Sequence, residues 1–206
     1  MFKSFAPHMT DSYKLGHIYQ YPVGTEQVYT NWTPRSDRLL PVLRNALDDF
    51  APFEGRMVWF GLQAHIKAFL IDAWNESFFH VSRDKAVSRY QRRMDTFFGP
   101  GAVSAAHIGA LHDLGYLPIE IRALPEGSRV PMRVAAMTIV NTLPEFYWVT
   151  NYLETALSSE LWKASTVATI AYEYRRLLDH YASLTGAPAE FVQWQGHDFS
   201  MRGVDG

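Results

Sequence analysis

An α+β fold is what this sequence predicts, and three features carry that reading. Helical runs of apolar residues end at glycine, a middle stretch alternates apolar with polar residues, and helical spacing returns after Pro144. The first 55 residues read as loop with short extended pieces near 27–32, because Pro22-Val23-Gly24, Thr33-Pro34 and Ala51-Pro52 break helices and favour turns. Over 57–73, Leu62, Ile66, Phe69, Leu70 and Ala73 recur at helical spacing, which predicts a helix with one packed face. A second helix is predicted over 83–98, with Arg and Lys on its outer face and a stop at Gly99-Pro100-Gly101. A third covers 104–114 and ends at Gly115.

The period then changes. Ile119-Glu120-Ile121-Arg122-Ala123-Leu124 alternates, and 129–140 offers further extended pieces beyond Pro125-Glu126-Gly127, so two or three antiparallel strands are predicted. Pro144 suits the opening of a helix running through Tyr147, Leu153, Leu157 and Leu161. A separate helix follows over 167–184 and ends at Thr185-Gly186. Residues 191–195 are aromatic and β-branched and read as a strand leading into Gly196.

Composition narrows the function. With 206 residues, 48% hydrophobic and 19% charged, the chain can bury a sizeable core. A net charge of −2 provides no broad positive field for a polyphosphate backbone, so nucleic acid is not an expected partner. The absence of cysteine removes disulfides, thiolate metal sites and thiol nucleophiles, and makes a reducing cytoplasm the simplest setting. Residues 1–14 mix Lys3, Pro7, His8 and Asp11 with isolated apolar residues, unlike a secretion signal, and no apolar run approaches the roughly 20 residues of a membrane helix. No internal repeat or polar linker divides the chain.

Gly196-His197-Asp198-Phe199-Ser200-Met201-Arg202-Gly203 is the best candidate site, since it follows the predicted strand at 191–195. Arg202 offers a planar fork of donors to a phosphate, Gly203 permits close backbone approach, and Phe199 can present a flat face to an aromatic base. The plainer reading of the same residues is a strand-ending turn with Phe199 in the core and Arg202 paired to a surface carboxylate. His197 and Asp198 point to opposite faces of an extended segment and lack a third ligand, and His107 and His112 are five apart, so no metal site is expected. Glycine-rich phosphate loops, the dinucleotide fingerprint and His-Glu-x-x-His are absent. Asp11-Ser12-Tyr13-Lys14 reads as a helix start with Asp11 or Ser12 as its cap. Arg35, Asp37 and Arg38 read as a solvated charge cluster, and Tyr147, Trp148 and Trp162 as core or subunit contacts.

Taken together, a series of short segments resembles the nicotinamide phosphoribosyltransferase family. The segments are Thr10-Asp11-Ser12-Tyr13-Lys14 with His17 and Tyr21-Pro22; Phe60-Gly61-Leu62-Gln63; Leu117-Pro118-Ile119-Glu120-Ile121; Pro125-Glu126-Gly127; Asn141-Thr142; Tyr147-Trp148 with Thr150-Asn151 and Glu154-Thr155; Thr166-Val167-Ala168-Thr169; and His197-Asp198-Phe199 with Arg202-Gly203. Each is weak alone, but they occur in the family's order over nearly the whole chain. Ser200 and Met201 stand where the family usually has glycine and an aromatic.

The resemblance implies transfer of a phosphoribosyl group from phosphoribosyl diphosphate to nicotinamide, with Mg²⁺ supporting the departing diphosphate. Phe199 would stack on one side of the nicotinamide, and Tyr13 would close the other side from the partner subunit of a homodimer. Arg202 would hold phosphate, Arg35 would reach the phosphoribosyl ligand across the dimer, and Asp11 would orient it. The family continues well past the position of Gly203 through a barrel-like domain that supplies an acid reading the amide, further arginines and a histidine tied to ATP-coupled stimulation. The resemblance therefore implies an amino-terminal α+β domain over 1–160 and the start of that barrel over 161–206, with no complete active site in these residues alone. Nicotinate phosphoribosyltransferase and a non-catalytic dimerisation fragment are the competing readings.

Overall fold

The computed structural model describes residues 4–38, 40 and 53–199. Two small antiparallel sheets sit among helices, in keeping with the predicted α+β class. Strands β1 (Tyr29–Trp32), β5 (Met137–Asn141) and β3 (Ile119–Ala123) form the first sheet in the order β1-β5-β3. Strands β2 (Arg56–Val58) and β4 (Arg129–Pro131) form the second. Tyr29 pairs with Val140 across β1 and β5, and Ile119 with Asn141 across β3 and β5. The central strand β5 buries every second residue, Met137, Ile139 and Asn141. The buried amide of Asn141 is fully used. Its Nδ2 donates to the carbonyls of Glu26 at 2.8 Å and Leu143 at 2.9 Å, and its Oδ1 accepts from the Val28 N–H at 2.8 Å.

Helix α1 (Leu62–His65) runs directly into two wide π-wound stretches, Ile66–Ala73 and Asn75–Phe79. The expected helix over 57–73 therefore begins later than its apolar residues suggest. Met57 and Val58 instead belong to β2, whose three residues are too few to show an alternating pattern. Helix α2 (Arg83–Phe98) ends at Gly99 and buries Ala86, Tyr90 and Met94, one apolar stripe four residues apart. Helix α3 (Ala106–Leu114) ends at Gly115 in the left-handed conformation and buries Ile108 and Leu111. Together with Trp59, Trp74 and Phe78 these residues form the core, where Trp74 and Phe78 meet edge to face at 5.5 Å.

A 3₁₀ turn (Pro144–Phe146) and helix α4 (Val149–Tyr152) lead into α5 (Glu154–Thr185), a single helix of 32 residues. The sequence predicts two helices here. The Ser165-Thr166 stretch between them is instead helix, and the hydroxyls of Ser165 and Thr169 bind the backbone of β2 and of Phe60 just beyond it. Ser165 Oγ accepts from the Phe60 N–H at 3.2 Å and donates to the Phe60 carbonyl at 3.1 Å, and Thr169 Oγ1 accepts from the Val58 N–H at 2.8 Å. Lower on the same face Glu173 is fully buried, 2.6 Å from Arg176 and 3.4 Å from Arg129 on β4. Arg129 also stacks over the Tyr172 ring at 4.2 Å.

Two further expectations change. Residues 191–195 are not a strand: Pro188 opens a 3₁₀ helix (Ala189–Trp194) instead. Without a partner strand, aromatic and β-branched composition does not make a ladder. Trp162, read as a core or subunit contact, is 64% exposed, so the core half of that reading falls, whereas Trp148 is buried.

Gly61 caps α1 with φ of +100°, and a Cβ there would lie 2.6 Å from Ala164 Cβ on α5. Gly61→Ala should cost at least about 2 kcal/mol, from left-handed strain plus displacement of α5. A lowered urea midpoint with an unchanged m-value checks this; an unchanged midpoint contradicts it.

Candidate functional site

A cavity of about 690 Å³ opens between the loop that follows β1 and the first half of α5. One wall carries Trp32, Pro34, Arg35 and Arg38. The facing wall is a row of α5 side chains, Thr155, Ser158, Ser159, Trp162, Ser165, Thr166 and Thr169, whose steps of three and four keep them on one helical face. Asp11 and Glu154 close one end and Met57 and Met132 add apolar surface. The hydroxyls of Ser165 and Thr169 are occupied at the β2 edge, so those two residues build the wall. Two guanidiniums facing hydroxyls across an open space suit a ligand that is both anionic and rich in hydroxyls.

Asp11 and Arg35, 24 positions apart in the sequence, are thus brought to one cavity. The Asp11 carboxylate accepts from Thr155 Oγ1 at 2.7 Å, while its N–H donates to the same oxygen at 3.2 Å. Asp11 does not cap with its side chain, and the segment it precedes is a 3₁₀ helix (Ser12–Tyr19). Tyr13 stands on that helix, 60% exposed, its ring 5.3 Å from that of His17. Loss of solvent on its packed side first, then the charge of Asp11, hold its phenol above the ordinary tyrosine value, so it is neutral at physiological pH.

Phe199 is 63% exposed beyond the last 3₁₀ helix and is not a core residue. Arg202, with Ser200, Met201 and Gly203, lies outside the described residues. His107 and His112 are partly packed, bonding Tyr90 at 3.3 Å and the Val81 carbonyl at 2.8 Å respectively. Among the described residues no group of three or more His, Cys, Asp or Glu side chains could hold a metal ion, and no helix is long and apolar enough to cross a membrane. The hydroxyl face of α5 is the element that sequence reasoning missed. Its signal is present, as Ser and Thr at 155, 158, 159, 165, 166 and 169, helical spacing interrupted only by Trp162 on the same face.

The family model for the nicotinamide phosphoribosyltransferase N-terminal domain matches residues 7–121. The chain belongs to the nicotinamide phosphoribosyltransferase family. It is 59% identical to the nicotinamide phosphoribosyltransferase of Acinetobacter baylyi over 95% of its own length, and 32% identical to that of Xanthomonas campestris over 95%. It is also 28% identical to that of Mycoplasma pneumoniae over 94%. The chain spans 37% of the first two relatives and 43% of the third. The stretch of this family member matched by the domain model holds Asp11, Tyr13 and Arg35.

Proposed function

We propose that this chain forms one wall of a site that transfers a phosphoribosyl group from phosphoribosyl diphosphate to nicotinamide. The C1–oxygen bond to the diphosphate breaks, the pyridine nitrogen takes C1, and diphosphate leaves, giving nicotinamide mononucleotide. The observation that carries this reading is the meeting of Asp11 and Arg35 at one cavity beside the exposed ring of Tyr13, in a chain of this family. A cationic transition state and a polyanionic leaving group call for positioned charge, and a flat neutral base calls for stacking surfaces. Arg35 and Arg202 meet phosphate, Asp11 orients the ribosyl group, and Tyr13 and Phe199 enclose the nicotinamide ring. Among the described residues Asp11 and Glu154 are the carboxylates that line the cavity, and Mg²⁺ held by the diphosphate would supply positive charge to the departing group.

The reading extends to a cytoplasmic homodimer in which Tyr13 and Arg35 serve the partner's site. Residues 1–160 form its amino-terminal domain, and 161–206 begin a barrel-like catalytic domain bridged to it by α5. The remainder of the site, and any ATP-coupled stimulation, belong to the portion of the relatives that this chain does not span.

The test is formation of nicotinamide mononucleotide by the purified chain with nicotinamide, phosphoribosyl diphosphate and Mg²⁺, with and without a separately expressed carboxy-terminal portion of a relative. Product only with the added portion is the expected result. Turnover by the chain alone would overturn the division of the site, and no turnover in either case would point to a non-catalytic fragment. In the active assembly Arg35→Ala should raise KM for phosphoribosyl diphosphate about tenfold or more, as expected for loss of a charge-assisted hydrogen bond. An unchanged KM removes Arg35 from the site.

A further inference from the structure

A 3₁₀ helix rarely exceeds three or four residues, because its hydrogen bonds are poorly aligned and its side chains eclipse. The segment Ser12–Tyr19 runs for eight. A three-residue repeat places positions 11, 14 and 17 on one face and 13, 16 and 19 on another. Each member of the first set is held from the α4–α5 junction. Asp11 exchanges two hydrogen bonds with Thr155. Lys14, its side chain only 2% exposed, donates to Asn151 Oδ1 at 3.0 Å and pairs with Glu154. His17 Nδ1 lies 3.3 Å from Asn151 Nδ2, which also donates to the Tyr21 hydroxyl at 3.2 Å. The second set carries Tyr13 and Tyr19, 60% and 59% exposed.

From this we infer that Lys14, Asn151 and Thr155 are positioning residues, a three-point clamp that holds the 3₁₀ winding and so presents the Tyr13 ring at a set angle. The inference rests on the reading of Tyr13 as a stacking surface for nicotinamide. An exposed ring on a freely moving segment would lose conformational entropy on stacking, and the clamp removes that loss before the ligand arrives. A lysine side chain only 2% exposed, and a threonine hydroxyl bonded to both the carboxylate and the N–H of Asp11, are explained by this role.

The clamp is tested by amide hydrogen exchange on the whole chain carrying Thr155→Val, Thr155→Ser or Lys14→Met. Thr155→Val and Lys14→Met should speed exchange in 12–19 about tenfold while the amides of α2 hold within about twofold, and Thr155→Ser, which keeps the hydroxyl, should retain native protection. Unchanged exchange in 12–19, or an equal rise in α2, would overturn the clamp. Thr155→Val serves where loss of the buried Lys14 charge pair unfolds the protein. In the active assembly, Asn151→Ala, at a clamp residue outside the cavity lining, should raise KM for nicotinamide about fivefold with kcat held within about twofold, with Tyr13→Ala as reference. A rise with Tyr13→Ala alone sinks the inference and leaves the function standing. No change with Tyr13→Ala sinks the stacking role, and the exchange data then decide the clamp by themselves.

Discussion

Glu173→Ala is expected to destabilise the protein by about 3 kcal/mol, which for a domain of this size lowers Tm by roughly 6–12 °C. The carboxylate has no contact with solvent and bridges Arg176 at 2.6 Å and Arg129 at 3.4 Å. Its removal leaves Arg129, whose side chain is 20% exposed and whose Nε has no partner among the described residues, with Glu54 at 3.5 Å as the carboxylate still beside it. The cost arises mainly from that abandoned positive charge rather than from the attraction lost. Arg129→Met made together with Glu173→Leu should therefore recover much of the stability. Calorimetry on the single and double variants checks this. Additive losses would show that the two residues act independently and that the bridge does not fasten α5 to β4.

Acid should unfold the protein through three histidines that the fold keeps uncharged. His8, His65 and His107 are each lowered from 6.5 to about 4, in every case mainly by burial, with Arg89 and Arg93 adding repulsion at His8. Nε2 of both His8 and His65 is buried without a hydrogen-bond partner among the described residues. The unfolded chain binds more protons than the folded one between these two values, so stability rises with pH across the window. It is complete above about pH 6.5 and is lost as pH falls towards 4. At 1.36 kcal/mol per pKa unit, each histidine contributes up to about 3 kcal/mol, and even half the combined amount is comparable with a typical folding free energy. Urea midpoints at pH 7.5, 6 and 5 should fall in that order. His65→Leu, which keeps the volume and removes one titrating ring, should flatten the decline by about a third. A midpoint flat from pH 7.5 to 5 contradicts the mechanism.

Local signals were legible where punctuation and period agreed. Helix α2 was readable from end to end because an Arg- and Lys-rich outer face runs into Gly99-Pro100-Gly101, and the structure shows the buried stripe behind it at 86, 90 and 94. The antiparallel strands after Leu117 were readable because 119–124 alternates apolar with polar residues. What failed depended on partners distant in sequence. The strand Arg56–Val58 exists through β4, 73 residues away, and α5 continues through Ser165 because Phe60 takes up its hydroxyl. The π-wound stretch after His65 has the same apolar spacing as an ordinary helix and leaves no distinct mark in the sequence. At the site, Asp11, Tyr13 and Arg35 could be named only by family resemblance. Nothing in their local context distinguishes a helix start and a surface charge cluster from a cavity rim, and the facing wall lies more than a hundred residues further on.

If Tyr13 stacks on nicotinamide as proposed, the eight residues from Ser12 to Tyr19 make the pitch of a helix a determinant of ligand geometry. A 3₁₀ helix advances about 120° per residue and an α-helix about 100°, so relaxation to the α form would dephase position 17 from position 11 by about 120°. His17 would swing away from Asn151, and the direction of the Tyr13 ring would rotate, with every side chain still in place. A substitution here that merely strengthens helical propensity, harmless on most surfaces, would act as a torsional error, and a catalogue of contacting residues alone would not reveal it.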